Sequence, residues 1–136
     1  MTSRLQEVLF VCSRNAGRSQ IATAFCNVLG HPERVRATSA GLDPAPRVHP
    51  DVVAAMQEVG IDLSQVRPLE LTARMQTEVL FLVTMGCGER CPLIPAGRRV
   101  DWELDDPEGQ PLGRVREIRD QIKELVQGLI VERGWA

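Results

Sequence analysis

Two stretches of the sequence are apolar without alternation: Val8-Leu-Phe-Val11 and Val79-Leu-Phe-Leu-Val-Thr-Met85. A strand with one wet face alternates apolar and polar side chains, so continuous runs rich in branched residues mark strands covered on both faces, as in a parallel sheet. The rest of the chain supplies the cover. Ile21, Ala22, Phe25, Val28 and Leu29 recur at helical spacing from Arg18 to Leu29, and Gly30 and Pro32 end the pattern. Pro50 to Val59 places Val52, Val53, Met56 and Val59 on one helical face before Gly60. Pro111 to Val131 carries Val115, Ile118, Ile122, Leu125, Val126 and Leu129 at intervals of three and four.

Two weaker strands complete the pattern, Arg34 to Ser39 and Arg99 to Leu104, the second carrying Trp102; Gly41 to Val48 reads as a Pro-rich loop. Alternating strands and helices predict an α/β fold with one parallel sheet between helices, binding ligands at the carboxyl ends of its strands. At 136 residues and 43% hydrophobic content the chain is expected to form one domain spanning residues 1–136. A formal net charge of -2 with interspersed signs gives no basic stripe for nucleic acid and no basic amphipathic segment for a membrane surface. The polar Met1 to Glu7 and the short run after it lack the apolar core of a signal peptide, so a cytoplasmic location is expected. There, four cysteines point to reduced, catalytic or redox-active thiols rather than a disulfide framework.

The strand-end rule gathers three segments on one rim: Cys12 to Arg18, Cys87 with Cys91, and Asp105 with Asp106. The first has the chemistry of an oxyanion site. A thiolate is the reactive form of cysteine, and a helix N-terminus with a nearby cation favours it. Five residues between Cys12 and Arg18 are enough to curl the loop so that the amides of Ser13, Arg14, Asn15, Ala16 and Gly17 point inward. Gly17 and Asn15 tolerate the left-handed backbone of a tight turn. Arg18 offers a planar fork for a tetrahedral oxyanion, and Ser19 can hydrogen-bond the Cys12 thiolate. The plainer alternative makes Cys12 a small buried hydrophobe in a turn.

Val8-Leu-Phe-Val-Cys12, followed by Asn15-Ala-Gly-Arg18-Ser-Gln-Ile-Ala22, resembles the signature of the low-molecular-weight protein tyrosine phosphatase superfamily, and in detail its thioredoxin-coupled arsenate reductase branch. The resemblance continues through Ser39-Ala-Gly41, Gly60-Ile-Asp62, Val83-Thr-Met-Gly-Cys87, Cys91-Pro92 and Asp105-Asp-Pro107. It implies a flavodoxin-like sheet of four parallel strands in order 2-1-3-4 with helices on both faces. It also implies that Cys12 attacks the central atom of an oxyanion held by residues 13–19, with Asp106 as general acid; Asp105 and a simple turn remain alternatives.

Phosphatase and reductase begin alike and diverge at the covalent intermediate, which water resolves in one and a second thiol in the other. By resemblance Cys87 attacks Cys12, Cys91 then attacks Cys87, and thioredoxin or a related thiol reductant reduces the pair. Thiols three residues apart can reach the roughly 4.4–6.8 Å between α-carbons that a disulfide needs. The family commonly spaces these thiols further apart, which leaves the order of attack open. Two unrelated surface thiols, or half a metal site, are the other readings. No metal or cofactor is expected, because His31 and His49 are solitary and read as solvent-facing residues near helix ends. Cys26 reads as packing. The chain has no tyrosine, and Glu108 follows Pro107 where tyrosine phosphatases of this fold carry one, so arsenate, with phosphate as analogue, is the expected ligand. Some relatives bind potassium with residues matching Asn15, Ser39 and Asp62, but Thr23 stands where they carry an acidic residue. A non-enzymatic carrier with a related cysteine loop is disfavoured by Arg18.

Overall fold

The computed structural model describes residues 5–78, 81–86 and 99–136. Within them the elements run β1 (Gln6–Cys12), α1 (Arg18–Leu29), β2 (Val35–Gly41), α2 (Pro50–Gln57), α3 (Ala73–Glu78), β3 (Phe81–Thr84), β4 (Arg99–Asp101) and α4 (Leu112–Arg133). The strands form one parallel sheet in the order β2-β1-β3-β4, the expected topology. Val8 lies between Ala37 and Phe81, and Cys12 pairs with Gly41 at the end of the register. The chain turns one way from β1 to β2 and the other way to β3 and β4. The switch point therefore falls at the carboxyl end of β1, where such sheets open a crevice.

Strand alternation divides the core. Val8, Phe10 and Cys12 face a large cluster with Ile21 and Phe25 of α1, Val52 and Met56 of α2, and Ile118, Ile122 and Val126 of α4. Leu9 and Val11 face the opposite side, with Ala40 and Leu82, beneath Leu42, Leu71 and Met75 of α3. Both faces of β1 are thus dry, as its unbroken apolar run requires. Cys26 is fully buried on the inner side of α1, and burial pushes its thiol up to about 12, which leaves it neutral and inert. Its role is packing.

The differences from the expected pattern have local causes. No hydrophobic period marks α3, which is six residues long and brings Met75 to the core. Strand β2 continues to Gly41 because that glycine donates to Leu69 O at 2.8 Å and bridges to Glu70. At the edge, β4 is three residues rather than six; beyond it Trp102 still donates to Thr84 O at 2.8 Å, and its ring lies 5.9 Å from that of Phe10. The expected strand from Val79 is described only from Phe81. Helix α4 runs to Arg133, where Gly134 adopts a left-handed cap with φ 73°. No helix among the described residues is long and apolar enough to cross a membrane.

Candidate active site

The loop between β1 and α1 is built from the outside. Ser13 O and Arg14 O accept from Asp43 N and Ala45 N, each at 2.9 Å, and Ala16 O accepts from His49 N at 3.0 Å. The segment after β2 therefore straps the loop by its carbonyls. The N–H groups of residues 14–17 donate to no backbone carbonyl among the described residues, and loop amides at a helix N-terminus are a common way to bind anions. Gly41 permits the approach, because a β-carbon there would stand 2.9 Å from Asn15 N.

Asn15 adopts φ 51°, the left-handed conformation that asparagine tolerates, and is fully buried. Its Oδ1 accepts from Leu69 N at 2.8 Å and Gln20 Nε2 at 3.0 Å, so the amide end is fixed toward Ser19. Asn15 Nδ2 donates to Ser19 Oγ at 2.7 Å, and Ser19 Oγ lies 2.9 Å from Cys12 Sγ. An amide nitrogen can only donate, so the hydroxyl proton of Ser19 is free to point at the sulfur. The chain of hydrogen bonds ends at the Cys12 sulfur, which is only 2% exposed at the end of β1.

Arg18 is the first residue of α1 and 7% exposed, an exceptional burial for a guanidinium. Its Nη1 donates to Leu104 O at 3.3 Å, and its Nη2 lies 3.5 Å from Asp106 Oδ2. Asp106 Oδ1 accepts from Glu108 N at 3.0 Å, closing a small turn. Pro107 is buried against Gly17, where a β-carbon would come within 2.8 Å of Pro107 Cγ. Asp105 points elsewhere and pairs with Arg114 of α4. The adjacent aspartates thus have opposite orientations, and Asp106 is the one beside the loop.

Cys12, residues 13–17, Arg18, Ser19 and Asp106 come together on one rim. Arg14 turns its side chain away and pairs with Asp43 at 2.8 Å. Cys87 and Cys91 lie outside the described residues. Contributors not singled out from sequence include Gln20, Gly41, Leu69 N, Gly86, Leu104 O, Pro107 and His49. The imidazole of His49 is half-buried rather than solvent-facing, because the residue caps α2 and its Cδ2 lies 3.7 Å from where a Gly17 β-carbon would be. Nor is it solitary: its nitrogen and single oxygens of Asp106 and Glu108 lie within 4.8 Å of one another. Of the residues matching the potassium site of some relatives, Asn15 Oδ1 accepts two donors and Asp62 Oδ1 accepts from Ser64 N at 2.8 Å, while Thr23 donates to Thr38 O at 3.3 Å.

A family model described as low molecular weight phosphotyrosine protein phosphatase matches residues 7–133. A glutaredoxin arsenate reductase of Synechocystis sp. is 39% identical over 132 residues, which cover 94% of this chain and 98% of that one. The structure of a Corynebacterium glutamicum thioredoxin-dependent arsenate reductase superposes with a TM-score of 0.79 at 36% identity, covering 95% of this chain and 62% of that one. The chain thus spans less than two thirds of that protein's length. An arsenate reductase in its phosphate binding state superposes with a TM-score of 0.79 at 34% identity, covering 93% and 98% respectively.

Proposed function

Because this chain belongs to the low-molecular-weight phosphotyrosine protein phosphatase family, we propose that it uses the family's thiolate chemistry to reduce arsenate to arsenite. The observation that carries the reading is the hydrogen-bonded chain Asn15–Ser19–Cys12 beside the buried Arg18. It combines a hydrogen-bonded thiol with a cation and with amides that donate to no backbone carbonyl among the described residues, which suits attack on a tetrahedral oxyanion. The names of similar proteins favour arsenate as that oxyanion.

In the first step Cys12 Sγ forms a bond to As(V) while an arsenate hydroxyl takes a proton from Asp106 and departs as water; Arg18 and the loop amides hold the remaining oxygens. In the second, a thiolate at Cys87 attacks Cys12 Sγ. A disulfide forms, the sulfur–arsenic bond breaks, and its electron pair leaves on arsenic as As(III). Cys91 then attacks Cys87, which frees Cys12, and an external dithiol reduces the Cys87–Cys91 disulfide. Thioredoxin is the proposed reductant. The relatives' names divide between thioredoxin and glutaredoxin, so the assay is run with each.

Arsenate-dependent oxidation of NADPH, coupled through either reductant and its reductase, is expected to vanish in Cys87→Ser and in Cys91→Ser. Full turnover by the double variant would sink the relay. The second reading, a phosphatase for small phosphate esters, is favoured by the same loop. It requires ester hydrolysis that depends on Cys12 and Asp106 and survives loss of Cys87 and Cys91.

A further inference from the structure

Gly86 follows β3 with φ 86°, and a β-carbon built on it would stand 2.1 Å from Arg18 Nη1 and 3.1 Å from Arg18 Cζ. Non-bonded heavy atoms settle at about 3.5–4.0 Å, so the guanidinium and a side chain at position 86 cannot share this space. Arginine is flexible and could swing clear, but here its freedom is spent. The group is 7% exposed, with Nη1 donating to Leu104 O at 3.3 Å and Nη2 3.5 Å from Asp106 Oδ2. Any rotation that admits a β-carbon re-aims both nitrogens.

Resting on the anion-site reading above, we infer that Gly86 is a positioning residue for the oxyanion site: its bare α-carbon is the surface against which the Arg18 fork is held. The left-handed backbone alone does not explain the glycine, since Asn15 adopts a positive φ in the same site. The close approach does. A side chain at position 86 is accommodated by moving the arginine, so its cost falls on anion binding more than on folding.

Gly60 supplies the control. It has φ 84°, close to that of Gly86, and nothing within 4 Å of its added β-carbon. Gly60→Ala therefore carries the backbone strain of Gly86→Ala without the collision. Gly86→Asn keeps the collision while relieving the strain, because asparagine tolerates the left-handed region. It also carries the test should Gly86→Ala fail to fold.

Two readouts are taken on the full chain: phosphate affinity by calorimetry, and alkylation of Cys12 by iodoacetate and iodoacetamide, followed by peptide mass spectrometry. Iodoacetate carries a carboxylate to the guanidinium, whereas iodoacetamide is neutral and reports thiol access alone. Both Gly86 variants are expected to weaken phosphate binding and slow iodoacetate by roughly tenfold or more, as lost bidentate ion pairing does, with iodoacetamide nearly unchanged. Gly60→Ala should alter neither. Unchanged phosphate affinity in a folded Gly86 variant, or equal slowing of both alkylators, overturns the inference. Wild-type protein that neither binds phosphate nor prefers iodoacetate would instead overturn the anion-site reading itself.

Discussion

Asp105 and Asp106 are neighbours in sequence and equivalent in chemistry, yet their surroundings differ. Asp105 is drawn to Arg114 at the start of α4, while Asp106 lies 3.5 Å from Arg18 and is steadied by the Glu108 amide. If Asp106 is the general acid, Asp106→Asn should lower kcat for arsenate reduction by roughly 10²–10⁴-fold, the usual worth of a positioned proton donor. Asp105→Asn removes only a solvent-exposed ion pair and should cost about 1 kcal/mol of stability or less, with kcat within about twofold of wild type. Steady-state kinetics with urea melts on both variants checks this. A large kcat loss confined to Asp105→Asn would reassign the acid.

At the scale of elements, the tie between α2 and α4 sets a pH dependence. Glu58 closes α2 and accepts from Arg116 Nε at 3.0 Å and Arg119 Nη1 at 2.9 Å, while Arg119 also donates to Ala55 O at 2.9 Å. Hydrogen bonding from Arg116 foremost, then from Arg119, lowers the Glu58 carboxyl from 4.5 to about 2. The folded value lies below the unfolded one, so this stabilisation is complete above pH 4.5 and fades as pH falls toward about 2. Glu58→Gln should melt below wild type at neutral pH and approach it as the medium is acidified through that window. Parallel melting curves from pH 6 to about 2.5 would refute the assignment. Glu58 and Arg116 are exposed, and the effect should shrink in high salt.

For the molecule as a whole, the proposed anion site and the fold are one thermodynamic system. The loop is strapped by residues 43–49 and braced by Leu69, Leu104 and Pro107, segments far apart in the chain, so an oxyanion bound there binds only the folded state. Phosphate at a hundred times its dissociation constant should stabilise the protein by about 2.7 kcal/mol, read as a rise in melting temperature. Arg18→Ala should abolish that rise. A phosphate-dependent rise that persists in Arg18→Ala would place the binding elsewhere.

Much of this architecture was legible in the chain itself. The unbroken apolar runs required strands buried on both faces, and the three-and-four spacing of Val115 to Leu129 required a helix against them. Cys12 at a strand end, with Arg18 opening a helix, marked the thiol and its cation, because that motif is made by residues close in sequence. Helix α3 was not legible, since six residues hold less than two helical turns and show no period. Tertiary structure alone decided which aspartate faces Arg18, why Gly86 is bare, and how His49 comes within reach of Asp106. Those choices depend on side chains meeting across the ends of different strands. Hydrophobic period and loop chemistry are properties of short segments, whereas orientation at a shared rim is settled only when the strands are in register.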